Sequence, residues 1–324
     1  MADNPHEDDP GDDLFDVAVV GGGPAGLSAA SWLARYRRSV VVIDSGEYRN
    51  AQVDQTHGYL GLDPVRPDEL RRKAREELGR YPTVAVAPGT VDRVAGRAGA
   101  FELTVRGPGG AEAGGGAGER VVRSRRLLLA TGVEDAFPEI EGFFEHYGAD
   151  VFHCASCDGY EAKERDVVVL GWGEQVAAFA RSLLTWASSV TIVTEGRHLE
   201  ADPSEREALV RAGVAVVEDD GVALVGRRGQ LRGVRLAGGG TVPCQLVFFS
   251  IAHHPRSSLA VALGCELTEE GCVVVDPDGG TTAAGVFAAG DLTPGVQLVA
   301  NAVAKGAAAG IACARSLVEP APEP

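Results

Sequence analysis

The stretch that most constrains the fold is the first ordered one, Leu14-Phe-Asp-Val-Ala-Val-Val20 followed by Gly21-Gly-Gly23-Pro-Ala-Gly26. A β-branched, nearly uncharged run cut off by glycines reads as a buried strand that ends in a tight turn. The alanine-rich residues from about Pro24 to Arg35 predict a helix, and Ser39-Val-Val-Val-Ile43 predicts a second strand with Asp44 at its carboxyl end. This is the βαβ dinucleotide fingerprint in its required context. Gly21 permits the turn, Gly23 lets the backbone approach a pyrophosphate, and Gly26 lets the helix pack closely on the strand. The free amides of the helix's first turn, which starts at Pro24 and Ala25, favour the phosphates, Pro24 itself having no N–H to give. Asp44 is placed to accept hydrogen bonds from a ribose.

The same arithmetic repeats downstream. Asp166-Val-Val-Val-Leu170 predicts a strand ending in Gly171-Trp-Gly173-Glu174-Gln-Val176; a helix from about Val176 to Trp186 and a strand Ser189–Val193 follow. The chemistry of this second turn is altered. Glu174 puts a carboxylate where a pyrophosphate would lie, and Val176 replaces a small residue. Glu195 ends the second strand in place of a pair of arginines, so a ribose 2′-phosphate would be repelled. Arg197 and His198 compensate in part. The expectation is weak NADPH binding, with NADH or no nicotinamide as alternatives.

Ahead of that unit, after a strand-like run from Ala149 to Phe152, stands His153-Cys154-Ala-Ser-Cys157-Asp158. Closely spaced cysteines suit thiol–disulfide exchange, in which one thiolate attacks and its neighbour resolves the mixed disulfide. The competing reading is half of a zinc site. Zinc takes about four ligands, whereas Cys244, Cys265, Cys272 and Cys313 stand apart from one another and no second CxxC or HxxxH appears. The redox reading therefore leads, and no metal is expected. The chain's 324 residues allow about two domains. A net charge of −16 argues against nucleic acid and anionic membranes as partners. Residues 1–13 are acidic, without the features of a signal peptide, and read as a disordered tail. No apolar run reaches the ~18 residues a membrane span needs. These features together predict a cytoplasmic protein, where a CxxC is more readily catalytic than structural.

The remaining segments are less specific. Ser45-Gly-Glu-Tyr-Arg49-Asn50 and Thr56-His57-Gly58-Tyr59-Leu60 are polar and irregular, placed either to wrap a bound cofactor or to form a surface loop. Pro67 to Arg80 reads as a surface helix without evident chemistry. Val84–Val94 and Phe101–Val105 read as strands of a small antiparallel layer, and residues 107–118 as a low-complexity excursion. Arg126-Leu-Leu-Leu-Ala-Thr131-Gly132 predicts a strand returning to the first sheet. Val247–Ala252 predicts another, leading to His253-His254-Pro255, whose imidazoles serve as a base near the thiols or cap a loop. Gly285-Val-Phe-Ala-Ala-Gly290-Asp291 predicts a strand ending in an acid. Val296-Gln297-Leu298-Val299 then opens a small-residue helix, Ala300–Leu317, and residues 319–324 form a tail.

The Gly-Gly-Gly-Pro-Ala-Gly turn, Ala130-Thr131-Gly132, Cys-x-x-Cys-Asp and Gly-Val-Phe-Ala-Ala-Gly-Asp together resemble the low-molecular-weight thioredoxin reductase family over nearly the whole chain. The resemblance implies an α/β fold of two Rossmann-like nucleotide-binding domains with three-layer ββα architecture, the second inserted in the first. Residues 14–135 plus 255–318 would bind FAD, and 139–250 would form a pyridine-nucleotide-like domain carrying the cysteines. FAD would be held by Gly21, Gly23, Pro24, Ala25, Gly26 and Asp44, by Ser45, Arg49, Asn50 and His57, by Thr131 and Gly132, and by Gly290, Asp291, Gln297, Leu298 and Val299. The start of the last helix would stabilise negative charge on a reduced flavin. The family also implies a homodimer, with Cys157 facing the flavin, Cys154 meeting the substrate and Asp158 exchanging protons. Arg49-Asn50, His57-Gly58-Tyr59-Leu60, His153 and Gly159-Tyr160-Glu161 are similar to a subgroup, the flavin-dependent dithiol oxidases found with disulfide natural products of the gliotoxin and holomycin type. Asp158 departs from that subgroup, many of whose members have histidine there. The resemblance implies oxidation of a small-molecule dithiol with dioxygen as acceptor. The alternative is NAD(P)H-dependent reduction of a thioredoxin-like protein.

Overall fold

The structure, a computed structural model, describes residues 14–107 and 118–318. The acidic tail 1–13, most of the low-complexity excursion and the tail 319–324 lie outside the described residues. The chain divides into two compact units, one built from residues up to 51, 68–134 and from 254 onward, the other from 52–67 and 135–253.

The first unit begins with β1 (Leu14–Val20), α1 (Pro24–Arg35) and β2 (Val40–Asp44), with the two strands parallel from Val17↔Val40 to Val20↔Ile43. Helix α2 (Pro67–Leu78) leads to β3 (Val84–Pro88), which extends the parallel sheet beside β2. Strands β4 (Thr90–Arg97), β5 (Ala100–Arg106) and β6 (Glu119–Leu129) then form an antiparallel meander. The continuous strand expected over Val84–Val94 is thus two. At Gly89 the backbone takes φ +147°, and a Cβ there would lie 2.7 Å from the Arg106 carbonyl oxygen. The turn throws β3 into the parallel sheet and leaves only β4 in the antiparallel layer. Strand β6 is longer than its apolar run because its first half pairs with β5 while its second half runs beside β1.

The second unit takes over at the end of β7 (Val133–Asp135), and its first helix is α3 (Phe143–His146). Its elements are β8 (Val151–Phe152), α4 (Ala155–Asp158), a 3-10 turn at Gly159–Ala162, β9 (Asp166–Leu170), α5 (Gln175–Leu183), β10 (Ser189–Val193), α6 (Pro203–Ala212) and β11 (Ala215–Val217). A small antiparallel sheet of β12 (Gly221–Arg227), β13 (Gln230–Leu236) and β14 (Thr241–Pro243) precedes β15 (Leu246–Phe249). The parallel sheet has the order β11-β10-β9-β15-β8. Residues 52–67, expected with the first domain, belong to this unit instead. Arg228 reaches Asp54 at 2.7 Å, and a Cβ on Gly148 would meet the Gln52 carbonyl oxygen at 2.3 Å.

The chain returns to the first unit through β16 (His253–Pro255) and α7 (Ser258–Ala262). Strand β17 (Val286–Ala288) pairs parallel with β6, and α8 (Val299–Arg315) ends the described chain. Both units have three layers because each parallel strand is apolar on both faces. In β1, Val17 and Val19 pack with α1 and α8 residues, whereas Ala18 and Val20 pack toward the meander with Phe101, Leu103 and Val105. In β9, Val167 and Val169 face the helices while Val168 and Leu170 join Leu224, Leu231 and Val234 of the small sheet. Full burial of one such valine or leucine is worth about 1.5–3 kcal/mol, and a one-residue slip would exchange the two faces.

Helices α1 and α8 approach at bare backbone. A Cβ on Gly306 would lie 2.1 Å from the Ala25 carbonyl oxygen, and one on Gly310 would lie 2.7 Å from that of Ala29. Backbone cannot move aside as a side chain can. Gly306→Val is expected to destabilise the protein by about 1–3 kcal/mol, the range for overpacking, read as a lowered midpoint in denaturant unfolding. Ala304→Val, on the exposed face of the same helix, should change it far less.

Candidate active site

In the first unit the strand β1 ends at a turn whose glycines are bare for different reasons. Gly21 has φ +108°, and a Cβ there would strike the Ala130 carbonyl oxygen at 2.3 Å. On Gly22 it would strike the Asp44 carboxylate at 2.2 Å, and on Gly26 the Gly21 carbonyl oxygen at 1.9 Å. Gly23 is different, since a Cβ there would meet nothing within 4 Å. Gly23 also caps α1, with Pro24 and Ala25 in the first turn and no side chain accepting from the helix amides. An open concavity lined by unclaimed amides fits an anion, as the pyrophosphate of a dinucleotide requires.

Asp44 is 7% exposed and sits in a cluster. Its carboxylate accepts from the Tyr48 hydroxyl at 2.5 Å, from the Gly46 amide at 3.1 Å and from the Arg75 guanidinium. Arg71 stacks on the Tyr48 ring at 4.0 Å and donates to Asn50 at 2.9 Å. Burial and the Asp44 carboxylate push the Tyr48 phenol up. Helix α2, read from sequence as a surface helix without chemistry, thus carries two arginines one turn apart that fix the segment after β2. The i, i+4 spacing of Arg71 and Arg75 was the available signal. Ser45 is exposed.

Arg49 donates to Asp291 at 3.1 Å and to Gln297 at 2.7 Å, joining that segment to the turn after β17 and to the start of α8. Gly290 has φ +79° at this turn. Leu298, whose apolar side chain makes no capping bond, precedes Val299 at the start of α8. Thr131 donates to the Arg256 carbonyl at 2.7 Å, and Gly132, at φ +69°, has open space where a Cβ would stand.

In the second unit Cys154 and Cys157 form a disulfide with Cα atoms 5.2 Å apart. Cys154 caps α4, and the Cys157 amide donates to its sulfur at 3.1 Å. That bond favours a thiolate on Cys154 once the disulfide opens. Asp158, the next residue, is 8% exposed. Burial first and the Glu161 carboxylate second push its carboxyl up to about 7, while His57 opposes them. His57 Nδ1 lies 3.1 Å from Asp63 and its Nε2 lies 3.5 Å from Glu161. The structure thus places His57, expected at the flavin, within the unit that carries the disulfide. His253 and His254 are exposed; the imidazole whose charge acts on Asp158 is His57. His153 lies in a run of rings with Tyr147 and Phe249, at 6.4 and 5.8 Å. Burial raises the thiols of Cys244 and Cys313 to about 12, so neither is a ready nucleophile. Among the described residues no group of three or more histidine, cysteine or acidic side chains is arranged to hold a metal. No helix among them is long and apolar enough to cross a membrane.

The second glycine turn contrasts with the first. A Cβ on Gly173 would meet the Gln175 side chain at 2.8 Å, and that amide donates to the Ile251 carbonyl at 3.3 Å. Glu174, exposed, occupies the cap position of α5. Beyond β10, Glu195 has φ +53° and one buried carboxylate oxygen without a hydrogen-bond partner, and burial raises its carboxyl. Arg197 stacks on Trp172 at 4.0 Å.

Two dinucleotide-type units, one with an open phosphate turn and one bearing a CxxC disulfide beside a buried acid, define a disulfide oxidoreductase. The family model for pyridine nucleotide-disulphide oxidoreductases matches residues 15–306, and the chain belongs to this family; it is a flavin-dependent oxidoreductase, in a family that uses FAD. It is 34% identical over 310 residues to the thioredoxin reductase tcpT of Claviceps purpurea, covering 92% of each chain. It is 30% identical over 318 residues to the thioredoxin reductase sirT of Leptosphaeria maculans, with the same coverage. Among solved structures it is similar to HlmI, with a TM-score of 0.84 and 36% identity over 94% of this chain and 92% of that one. An oxidoreductase from Agrobacterium tumefaciens gives 0.82 and 35% over 94% and 99%.

Two outcomes check the site. Gly23→Val should leave the unfolding midpoint of flavin-free protein nearly unchanged and abolish retention of FAD, measured by absorbance after gel filtration. The raised carboxyl of Asp158 contributes stability below the ordinary aspartate range that is lost as pH rises through about 7. Asp158→Asn should therefore melt progressively higher than the parent as pH rises from about 4 to 8, with the two near equal at the acid end.

Proposed function

We propose that the protein oxidises a small-molecule dithiol to a disulfide, with FAD as the electron acceptor and dioxygen as the terminal oxidant, which leaves as peroxide. The observation that carries this reading is the second glycine turn. Gln175 stands over Gly173, where a nicotinamide dinucleotide would need bare backbone, and the Glu195 carboxylate, one oxygen of which is buried without a hydrogen-bond partner, stands where a ribose phosphate would need cations. Those residues do not fit NADPH, and the reading routes no electrons through it.

The residues of the first turn fit FAD. Gly23 and the first amides of α1 would take its pyrophosphate, Asp44 its ribose, and Asp291 with the start of α8 the region of the flavin. FAD supplies a two-electron acceptor that dioxygen can recharge. The protein's own part begins at the disulfide. A substrate thiolate attacks the Cys154 sulfur, the Cys154–Cys157 bond breaks, and Cys157 leaves as a thiolate. The second substrate thiol then displaces Cys154, whose leaving charge is favoured by the Cys157 amide. The substrate loses two electrons and two protons, and the enzyme becomes a dithiol. Asp158, poised near neutral pH by burial, accepts and returns a proton at the sulfurs, as an effective general base requires.

A second reading, NAD(P)H-dependent reduction of a thioredoxin-like protein, is favoured by Asp158 itself, the acid of the reductases that the sequence resembles. The two readings separate cleanly. Anaerobic mixing with a small dithiol is expected to bleach the bound flavin, whereas NADPH and NADH at about millimolar concentration leave it yellow. Rapid bleaching by NADPH with none by dithiols would reverse the assignment. Cys157→Ser is expected to lower dithiol turnover by at least about 10³-fold while keeping the flavin, as loss of a nucleophile does.

A further inference from the structure

The dithiol reaction moves two protons as well as two electrons. Each enzyme dithiol formed must lose two of each before the Cys154–Cys157 bond closes again; the electrons end on dioxygen, which takes up two protons from solvent as it becomes peroxide. Asp158, at 8% exposure, cannot trade protons with water freely. Glu161 follows it on the 3-10 turn, with its side chain 31% exposed, and one of its oxygens is buried without a hydrogen-bond partner. Its other oxygen lies 3.5 Å from Nε2 of His57, whose side chain is 26% exposed. The opposite nitrogen, Nδ1, lies 3.1 Å from Asp63, which is half exposed. Asp63 also accepts from the Gly58 amide at 3.1 Å, so it holds the loop and the ring in one posture. An imidazole can take a proton at one ring nitrogen and give one up at the other, and the His57 ring has a carboxylate beside each of its two nitrogens.

We propose that Glu161, His57 and Asp63 form the proton exit of the Cys154–Cys157 pair, receiving from Asp158 the protons released at the sulfurs and delivering them to solvent. This deepens the function proposed above and rests on its role for Asp158. It makes His57 a positioning and relay residue of the thiol chemistry. The charged groups that act on Asp158 are Glu161 and His57, with opposite signs. Helix α5, packed on the same segment, has Arg181 as its one charged residue, and that side chain is exposed.

The opposite signs give the test. FAD-loaded enzyme is mixed anaerobically with dithiothreitol across pH 5 to 9, and free thiols are trapped by alkylation and counted by mass. Rates are corrected for the ionised fraction of dithiothreitol, so that the midpoint reports the enzyme. His57→Gln is expected to move that midpoint up and Glu161→Gln to move it down, each by about half a unit or more. Asp63→Asn should move it the same way as His57→Gln and by less. His57→Ala should also reoxidise more slowly in air, with the rate restored by added imidazole. Melting temperature and flavin content of each variant show that it has folded. Midpoints that stay put, or that move together in both His57→Gln and Glu161→Gln, overturn the proposal. An unchanged profile in Asp158→Asn instead removes the role of Asp158 on which it rests, so the two failures are distinguishable.

Discussion

Close contact between backbones is the constraint on which the first unit depends. Gly26 lies so near the Gly21 carbonyl that a Cβ would fall 1.9 Å from it, and one on Gly306 would fall 2.1 Å from the Ala25 carbonyl oxygen. These contacts press α1 onto the end of β1 on one side and onto α8 on the other. The result is that two helix starts, at Gly23 and at Leu298, stand in one unit without a capping bond from the residue that precedes each helix. Helix amino termini without side-chain caps are tolerable only where water or an anion satisfies them. The apolar burial of β1 and β2 on both faces stabilises this arrangement, and the open turn at Gly23 is a by-product of how closely the layers pack.

The second unit repeats the layers and alters the turn. Gly171, like Gly21, takes a positive φ and has a carbonyl oxygen where its Cβ would be, here that of Ser250. The tight turn is therefore retained as a structural device. What differs is occupancy. At Gly23 the space above the bare Cα is open, whereas at Gly173 the Gln175 amide fills it and is bonded in place. A glycine-rich turn is needed to end a strand against a helix whether or not it holds a phosphate, and the two turns of this chain differ in the space left above the middle glycine.

How much of this was legible in the sequence follows from the range of the forces involved. The βαβ unit, the CxxC and the Gly-Asp turn are local patterns, and the structure places them on the elements expected. The break at Gly89 was not legible, because it depends on the carbonyl of Arg106 across the meander. Nor were the partners of Asp44. Arg71 and Arg75 read as charges on a solvated helix face until the fold brings that face to the end of β2. The loop at His57 showed its polar character but not its destination, since Glu161 is remote in sequence. Gln175 was present in the motif, yet only rotamer and hydrogen bonding show that it lies over Gly173.

The chemistry at the disulfide depends on a balance that burial sets. A fully solvated aspartate would be ionised throughout the neutral range and would hold no proton to return to a leaving sulfur. A fully isolated one would be too reluctant to ionise to take a proton from an attacking thiol. Burial and Glu161 push the carboxyl of Asp158 up, and His57 draws it back, so that it stands near 7. An acid tuned there can act in both directions of thiol–disulfide exchange with similar ease. That symmetry explains why the residue next to Cys157 does not by itself fix the direction of electron flow. Direction is set where the electrons enter, and on the function proposed above the features that bear on it are the Gln175 side chain over Gly173 and the Glu195 carboxylate, one of whose oxygens is buried without a hydrogen-bond partner.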